Sequence, residues 1–184
     1  MRILLVGVSC IGKSTIGKLL AEIMDYKFFD FDFEVEERMN EHISSIKKRT
    51  LAFINEKGYR DEVKHILDDI LTKNEDNIVI AMPPSGLYQS YSAIINKHSD
   101  VLTIALKDRA ENIFERLTFY DDESKPLYNV LNERNKPLYL REIKKDIQYF
   151  SRTYRKAKMH FNLDGMTANE AAHALLKAIK QTVD

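Results

Sequence analysis

Cysteine, glycine and proline are scarce in this chain, and neither sign of charge is in excess. Its 184 residues hold one cysteine, six glycines and four prolines. A single cysteine excludes an internal disulfide and fits a reducing compartment. Lys plus Arg and Asp plus Glu number 28 each, which removes any bulk pull toward nucleic acid or a membrane surface. The tyrosines and phenylalanines show no interleaving with basic residues of the kind that binds single strands. The N-terminal apolar run, Ile3-Leu4-Leu5-Val6, is far too short for a signal peptide or a membrane span. Repeats, low-complexity tracts and Gly-, Ser- or Pro-rich linkers are also missing. These absences predict a soluble, cytoplasmic protein of one domain, residues 1–184, a monomer with no nucleic-acid or membrane partner.

What is present is concentrated near the N-terminus. Gly7-Val8-Ser9-Cys10-Ile11-Gly12-Lys13-Ser14 fits the phosphate-binding pattern of Gly, four residues, then Gly-Lys-Ser. Backbone N–H groups of such a loop curl around phosphates, and its glycines allow close approach without a Cβ. Lys13 is expected to reach the β- and γ-phosphates and Ser14 to hold Mg²⁺, with the following helix aiming its positive end at the anion. Gly7, Ser9, Cys10, Ile11, Gly12, Lys13, Ser14 and Thr15 form the expected nucleotide contacts, with Cys10 read as a small spacer. The context agrees: an apolar strand precedes the loop, and Ile16, Leu19, Leu20 and Ile23 repeat at helical spacing after it. The chain is expected to bind a nucleoside triphosphate.

Further strands are predicted at Lys27 to Asp30, Asn77 to Met82, Val101 to Leu106 and Met159 to Leu163. Between them lie helical stretches: two or three up to Lys73 with Gly58 at a joint, and a long one from Pro137 to Lys156. The long one carries the apolar stripe Leu140, Ile143, Ile147, Phe150 and Tyr154. Pro126 and Pro137 are read as helix openers, and Thr167 to Glu170 as a capping box. Strands alternating with helices predict an α/β fold, a three-layer P-loop NTPase with a five-stranded parallel sheet flanked by helices. Ligands of such sheets bind at the carboxyl ends of the strands.

Several polar residues fall at those ends: Asp30 and Asp32 in Phe29-Asp30-Phe31-Asp32, Arg60 in Tyr59-Arg60-Asp61-Glu62, and Arg134 in Arg134-Asn135-Lys136-Pro137-Leu138-Tyr139. With the loop continued as Ser14-Thr15-Ile16-Gly17, the chain resembles the shikimate kinases, small P-loop kinases of nucleoside-monophosphate-kinase architecture. The resemblance implies an ATP-dependent phosphotransferase of aromatic amino acid biosynthesis acting on a small anionic polyol, shikimate or similar, with Mg²⁺. It implies that Asp32 binds the acceptor hydroxyls and helps draw off a proton, and that Asp30 sits near the Mg²⁺. Arg60 and Arg134 would grip the acceptor carboxylate, Arg116 would lie against the adenine, and residues 117–126 would form a small lid with Lys125 as its catalytic cation. Bland alternatives stand beside these roles: a helix cap for Asp30 or Asp32, an ion pair for Arg116.

Three features depart from the family pattern. Pro83-Pro84 replace the consecutive glycines that end the third strand, removing two N–H donors; Ser85 or Gly86 are the candidate replacements. Lys125 stands where the family has an arginine, behind Asp121-Asp122-Glu123. Extra residues after Tyr139 lengthen that helix, read as a surface extension or an oligomer contact. The alternatives are therefore a kinase for another small acceptor (a gluconate-like acid, nucleoside or nucleotide) or a non-catalytic ATP-binding regulatory protein.

Overall fold

The computed structural model describes residues 1–49, 56–117, 119–120, 126–127 and 135–183. Its centre is β1 (Arg2–Val6), whose Ile3, Leu4, Leu5 and Val6 are fully buried. An apolar run of this kind is stable only with neighbours on both edges and helices on both faces. It gets them. Five parallel strands lie in the order β2 (Lys27–Asp30), β3 (Ile78–Ala81), β1, β4 (Val101–Lys107), β7 (Met159–Asn162). The phosphate loop leaves β1 in the middle of the sheet and leads into α1 (Lys13–Met24), which packs on β1, β2, β3 and the C-terminal helix α8 (Ala168–Val183).

Between β2 and β3 run α2 (Phe31–Met39), α3 (Ile43–Arg49) and α4 (Lys57–Lys73), the last packed on α5 (Gln89–Ile95). The face of α4 bearing Val63, Ile66, Leu67, Ile70 and Leu71 is buried, as its spacing predicts. After β4 come α6 (Ala110–Phe114), the two-residue strands β5 (Phe119–Tyr120) and β6 (Pro126–Leu127), and α7 (Lys136–Tyr154). The predicted capping box is formed at α8. Thr167 N–H donates to Glu170 Oε2 at 2.9 Å, and Glu170 N–H to Thr167 Oγ1 at 3.3 Å. Among the described residues no helix is long and apolar enough to cross a membrane.

Two local expectations are corrected. Pro126 does not open a helix; it pairs with Tyr120 in an antiparallel ribbon of two strands, where a missing N–H can face away from the paired strand. Gly58 does not divide two helices but sits in the first turn of α4, where backbone N–H groups have no intrahelical acceptor to lose. The short helices α5 and α6, of seven and five residues, are too brief for an apolar period to announce them.

Candidate active site

The loop after β1 has the backbone of an anion cradle. Gly12 takes φ 105° and Cys10 φ 59°, left-handed values that turn successive N–H groups inward. A Cβ on Gly7 would lie 3.0 Å from Ile11 and 3.1 Å from the Leu106 carbonyl oxygen, so a side chain there would push the loop off the sheet. Gly12 caps α1 without any side-chain hydrogen bond, and the first turn holds no acid. The N–H groups of that turn are therefore left for a ligand, and their partial positive charge favours an anion. Lys13 Nζ donates to Gly7 O at 3.0 Å and Val8 O at 2.9 Å, which holds its ammonium across the loop. Burial lowers its pKa to about 8, against the opposing pull of Asp32, Cys10 and Asp30.

Three cavities border this loop, one of them, about 350 Å³, only through Val8 and Ile11; the other two are lined by its polar residues. The first, about 440 Å³, is lined by Cys10, Ile11, Gly12, Lys13, Ser14 and Thr15 together with Arg116, Met166 and Ala168. For Arg116 the ion-pair reading holds. It lines this cavity, and it also pairs with the buried Asp108 at 2.6 Å and donates to Met166 O at 3.0 Å. Burial raises the Asp108 pKa, but Asn112, Arg116 and the Arg109 N–H outweigh that and hold it below the usual carboxylate range. The guanidinium thereby ties the end of β4 to the loop before α8.

The second cavity, about 310 Å³, is lined by Ser9, Asp32, Lys47, Glu56, Tyr59, Pro83, Pro84, Ser85, Asp146 and Phe150. Ser9, expected among the nucleotide contacts, faces this cavity and not the first. Asp30 is the N-cap of α2, its Oδ1 accepting from the Asp32 N–H at 3.2 Å, so the bland reading of Asp30 holds for one of its two oxygens. That cap also orients Asp32, whose pKa rises to about 6 through burial first and Asp30 second, with Lys47 and Lys13 opposing.

Arg60 is buried in α4 beside this cavity. Its Nη1 donates to Glu56 Oε2 at 2.9 Å, its guanidinium lies 4.6 Å from the Tyr88 ring centre, and its Nε has no partner. Ser85 is buried against the cavity. Gly86 corrects an expectation: its N–H donates to Pro83 O at 2.8 Å and closes the proline turn, so it is not a free donor for a ligand. A Cβ there would stand 2.6 Å from Met82 Cβ. Lys125 and Arg134 lie outside the described residues, as does most of the expected lid.

Sequence reasoning passed over Lys47, Glu56, Asp146 and Met166. It placed Phe150 and Tyr154 in a core stripe, and both do pack there; Phe150 also lines the second cavity with Asp146, one turn earlier on the same helix. Oxygen donors suited to Mg²⁺ are present in Ser14, Asp30 and Asp32, while no group of three His, Cys, Asp or Glu that could hold a metal occurs among the described residues. Such a set fits an ion carried in on a nucleotide with several waters, not a dedicated protein cage.

The shikimate kinase family model matches residues 9–180. A bifunctional shikimate kinase/3-dehydroquinate synthase of Thermotoga maritima is 30% identical over 156 residues, covering 85% of this chain but 28% of that protein. A shikimate kinase of a Sulfurihydrogenibium species is 27% identical over 180 residues, 97% of this chain and 98% of that one. The crystal structure of shikimate kinase from Bacteroides thetaiotaomicron superposes with a TM-score of 0.76 at 20% identity over 98% of both chains. With the family model spanning nearly the whole chain, the chain belongs to the shikimate kinase family of ATP-using phosphotransferases.

Proposed function

We propose that this chain transfers the γ-phosphoryl group of Mg-ATP to a hydroxyl of shikimate. The observation that carries the reading is the pair of cavities that share one phosphate loop, with Lys13 lining the first and Asp32 the second. Phosphoryl transfer requires positioning and charge neutralisation more than covalent machinery. The α1 N–H groups and Lys13 hold the phosphates, and Arg116 with Met166 frames the adenine. Ser14 and Asp30 are the residues that would hold Mg²⁺, which when bound shares the phosphate charge. In the second cavity Asp32 accepts the proton of the attacking hydroxyl. That oxygen bonds to the γ-phosphorus as the bond to the β–γ bridging oxygen breaks. Arg60 and Arg134 serve the acceptor carboxylate, and Lys125 supplies a cation from the lid.

The test is ADP release from Mg-ATP with and without shikimate, with Lys13→Met as the blank. Strong stimulation that the variant abolishes is expected. ATP binding with no stimulation would sink the proposal.

A further inference from the structure

The proline turn, Pro83-Pro84, and α7 meet in space. Tyr154, at the end of α7, donates its hydroxyl to Pro84 O at 2.9 Å. Its ring stacks on Phe150 (5.7 Å between centres, 19°), and Phe150 meets the Tyr88 ring edge-on at 6.1 Å. Tyr88 in turn carries the Arg60 guanidinium. An unbroken set of contacts thus runs from the proline turn through α7 to the buried arginine. One face of α7 also borders the acceptor cavity, because Asp146 and Phe150 line it with Ser9 and Asp32.

Charge defines what this wall accepts. Three carboxylates, Asp32, Glu56 and Asp146, line the cavity against Lys47, and Arg60 is already engaged by Glu56. A carboxylate at a cavity rim accepts hydrogen bonds from hydroxyls and repels a second anionic group on the ligand. An aromatic face beside it suits the apolar side of a small ring. The prolines removed N–H donors from the end of β3, and α7 brings an acceptor and a ring to the same cavity.

We propose that this face of α7 is the acceptor-selecting wall of this kinase, in which Asp146 reads a ring hydroxyl and Phe150 packs on the ring, while Tyr154 is a positioning residue that holds the proline turn. The inference rests on the kinase reading above and names the residues that select its acceptor.

The experiment compares the wild type with Asp146→Asn and Phe150→Leu, using shikimate and analogues each lacking one ring hydroxyl. The exposed Gln148→Ala serves as a helix control and thermal melting as a folding check. Loss of a hydrogen bond to a charged group predicts an acceptor KM about 10-fold higher in Asp146→Asn, with the ATP KM within about twofold. Asp146→Asn should also lose its preference for shikimate over one analogue and keep it over the others. Phe150→Leu should raise the acceptor KM without changing which hydroxyl is read. Wild-type turnover with acceptor KM and hydroxyl preference unchanged in both folded variants overturns the wall and leaves the kinase reading standing. Absence of wild-type turnover with shikimate overturns both.

Discussion

The nucleotide half and the acceptor half of the site are built in opposite ways. The first is local: Gly12, the first turn of α1 and the Lys13 bonds to the carbonyls of Gly7 and Val8 all fall within one short segment. It is made largely of backbone, so its geometry follows from where glycine allows left-handed turns and from the exposed N–H groups of a helix start. The second is assembled from Ser9 of the loop, from the segments after β2 and β3, from α3, the start of α4 and α7, elements far apart in sequence. Phosphate is the same ligand in every nucleotide, and a backbone cradle suits it. Acceptors differ, and side chains on separate elements can be exchanged without disturbing the cradle.

The sharpest break in that comparison is at Lys13. Lys13→Met removes the only side-chain cation within the loop segment 7–14, and kcat should fall by roughly 10³-fold, the scale of losing a preorganised charge at the transferring group. The acceptor dissociation constant should stay near its wild-type value, measured by titration without nucleotide.

Asp32→Asn attacks the other half, and a loss of roughly 10²-fold in kcat is expected. Its pH profile separates the halves further. In the free enzyme Asp32 titrates at about 6 and Lys13 at about 8. The wild-type kcat/KM should therefore rise through the first value as Asp32 ionises and fall through the second as Lys13 loses its proton. Asp32→Asn should erase the acid limb and leave the alkaline one. Stability carries the same signature. The folded pKa of Asp32 lies above its ordinary 3.8, so this contribution is fully present below that value and is lost as pH rises through about 6. Denaturant titrations across that window should show the slope in the wild type and a flatter line in Asp32→Asn.

What was legible in the sequence follows the same division. The loop, the five sheet strands and the capping box were readable because each depends on neighbours in the chain: an apolar run, a glycine spacing, a Thr-x-x-Glu. The fate of Asp30 was half readable, since a carboxylate after a strand can cap a helix and still present one oxygen. Asp146 was not readable. An acid on a charged helix looks like any solvated residue until α7 is docked beside Asp32 and the proline turn. Gly86 was misread as a donor for a comparable reason, because its N–H is consumed by Pro83 O in a turn that only the fold discloses.

Gly86 offers a break smaller in scale. Its φ is not in the left-handed region, so any cost of Gly86→Ala comes from space alone. The new Cβ would stand 2.6 Å from Met82 Cβ and 3.0 Å from Pro83 O, neither of which is the far end of a flexible side chain. A loss of about 1–3 kcal/mol is expected from overpacking, read as a lower Tm. The acceptor KM should rise because the proline turn must shift, and the ATP KM should not.

The smallest effect is the most discriminating. Tyr154→Phe keeps the ring that stacks on Phe150 and deletes only the hydroxyl donated to Pro84 O. Burial pushes the Tyr154 pKa well above the ordinary phenol value, so the hydroxyl is a neutral donor at any working pH and the bond carries no charge. Its loss should cost about 1 kcal/mol of stability, and since Pro84 has no N–H, its carbonyl is the one backbone polar group by which α7 can grip this residue. If the two halves are independent, Tyr154→Phe should raise the acceptor KM a few-fold with the ATP KM and the alkaline limb of the pH profile unmoved. Parallel changes in both KM values would mean that the proline turn also positions the phosphate loop, and the division into a backbone half and a side-chain half would have to be given up.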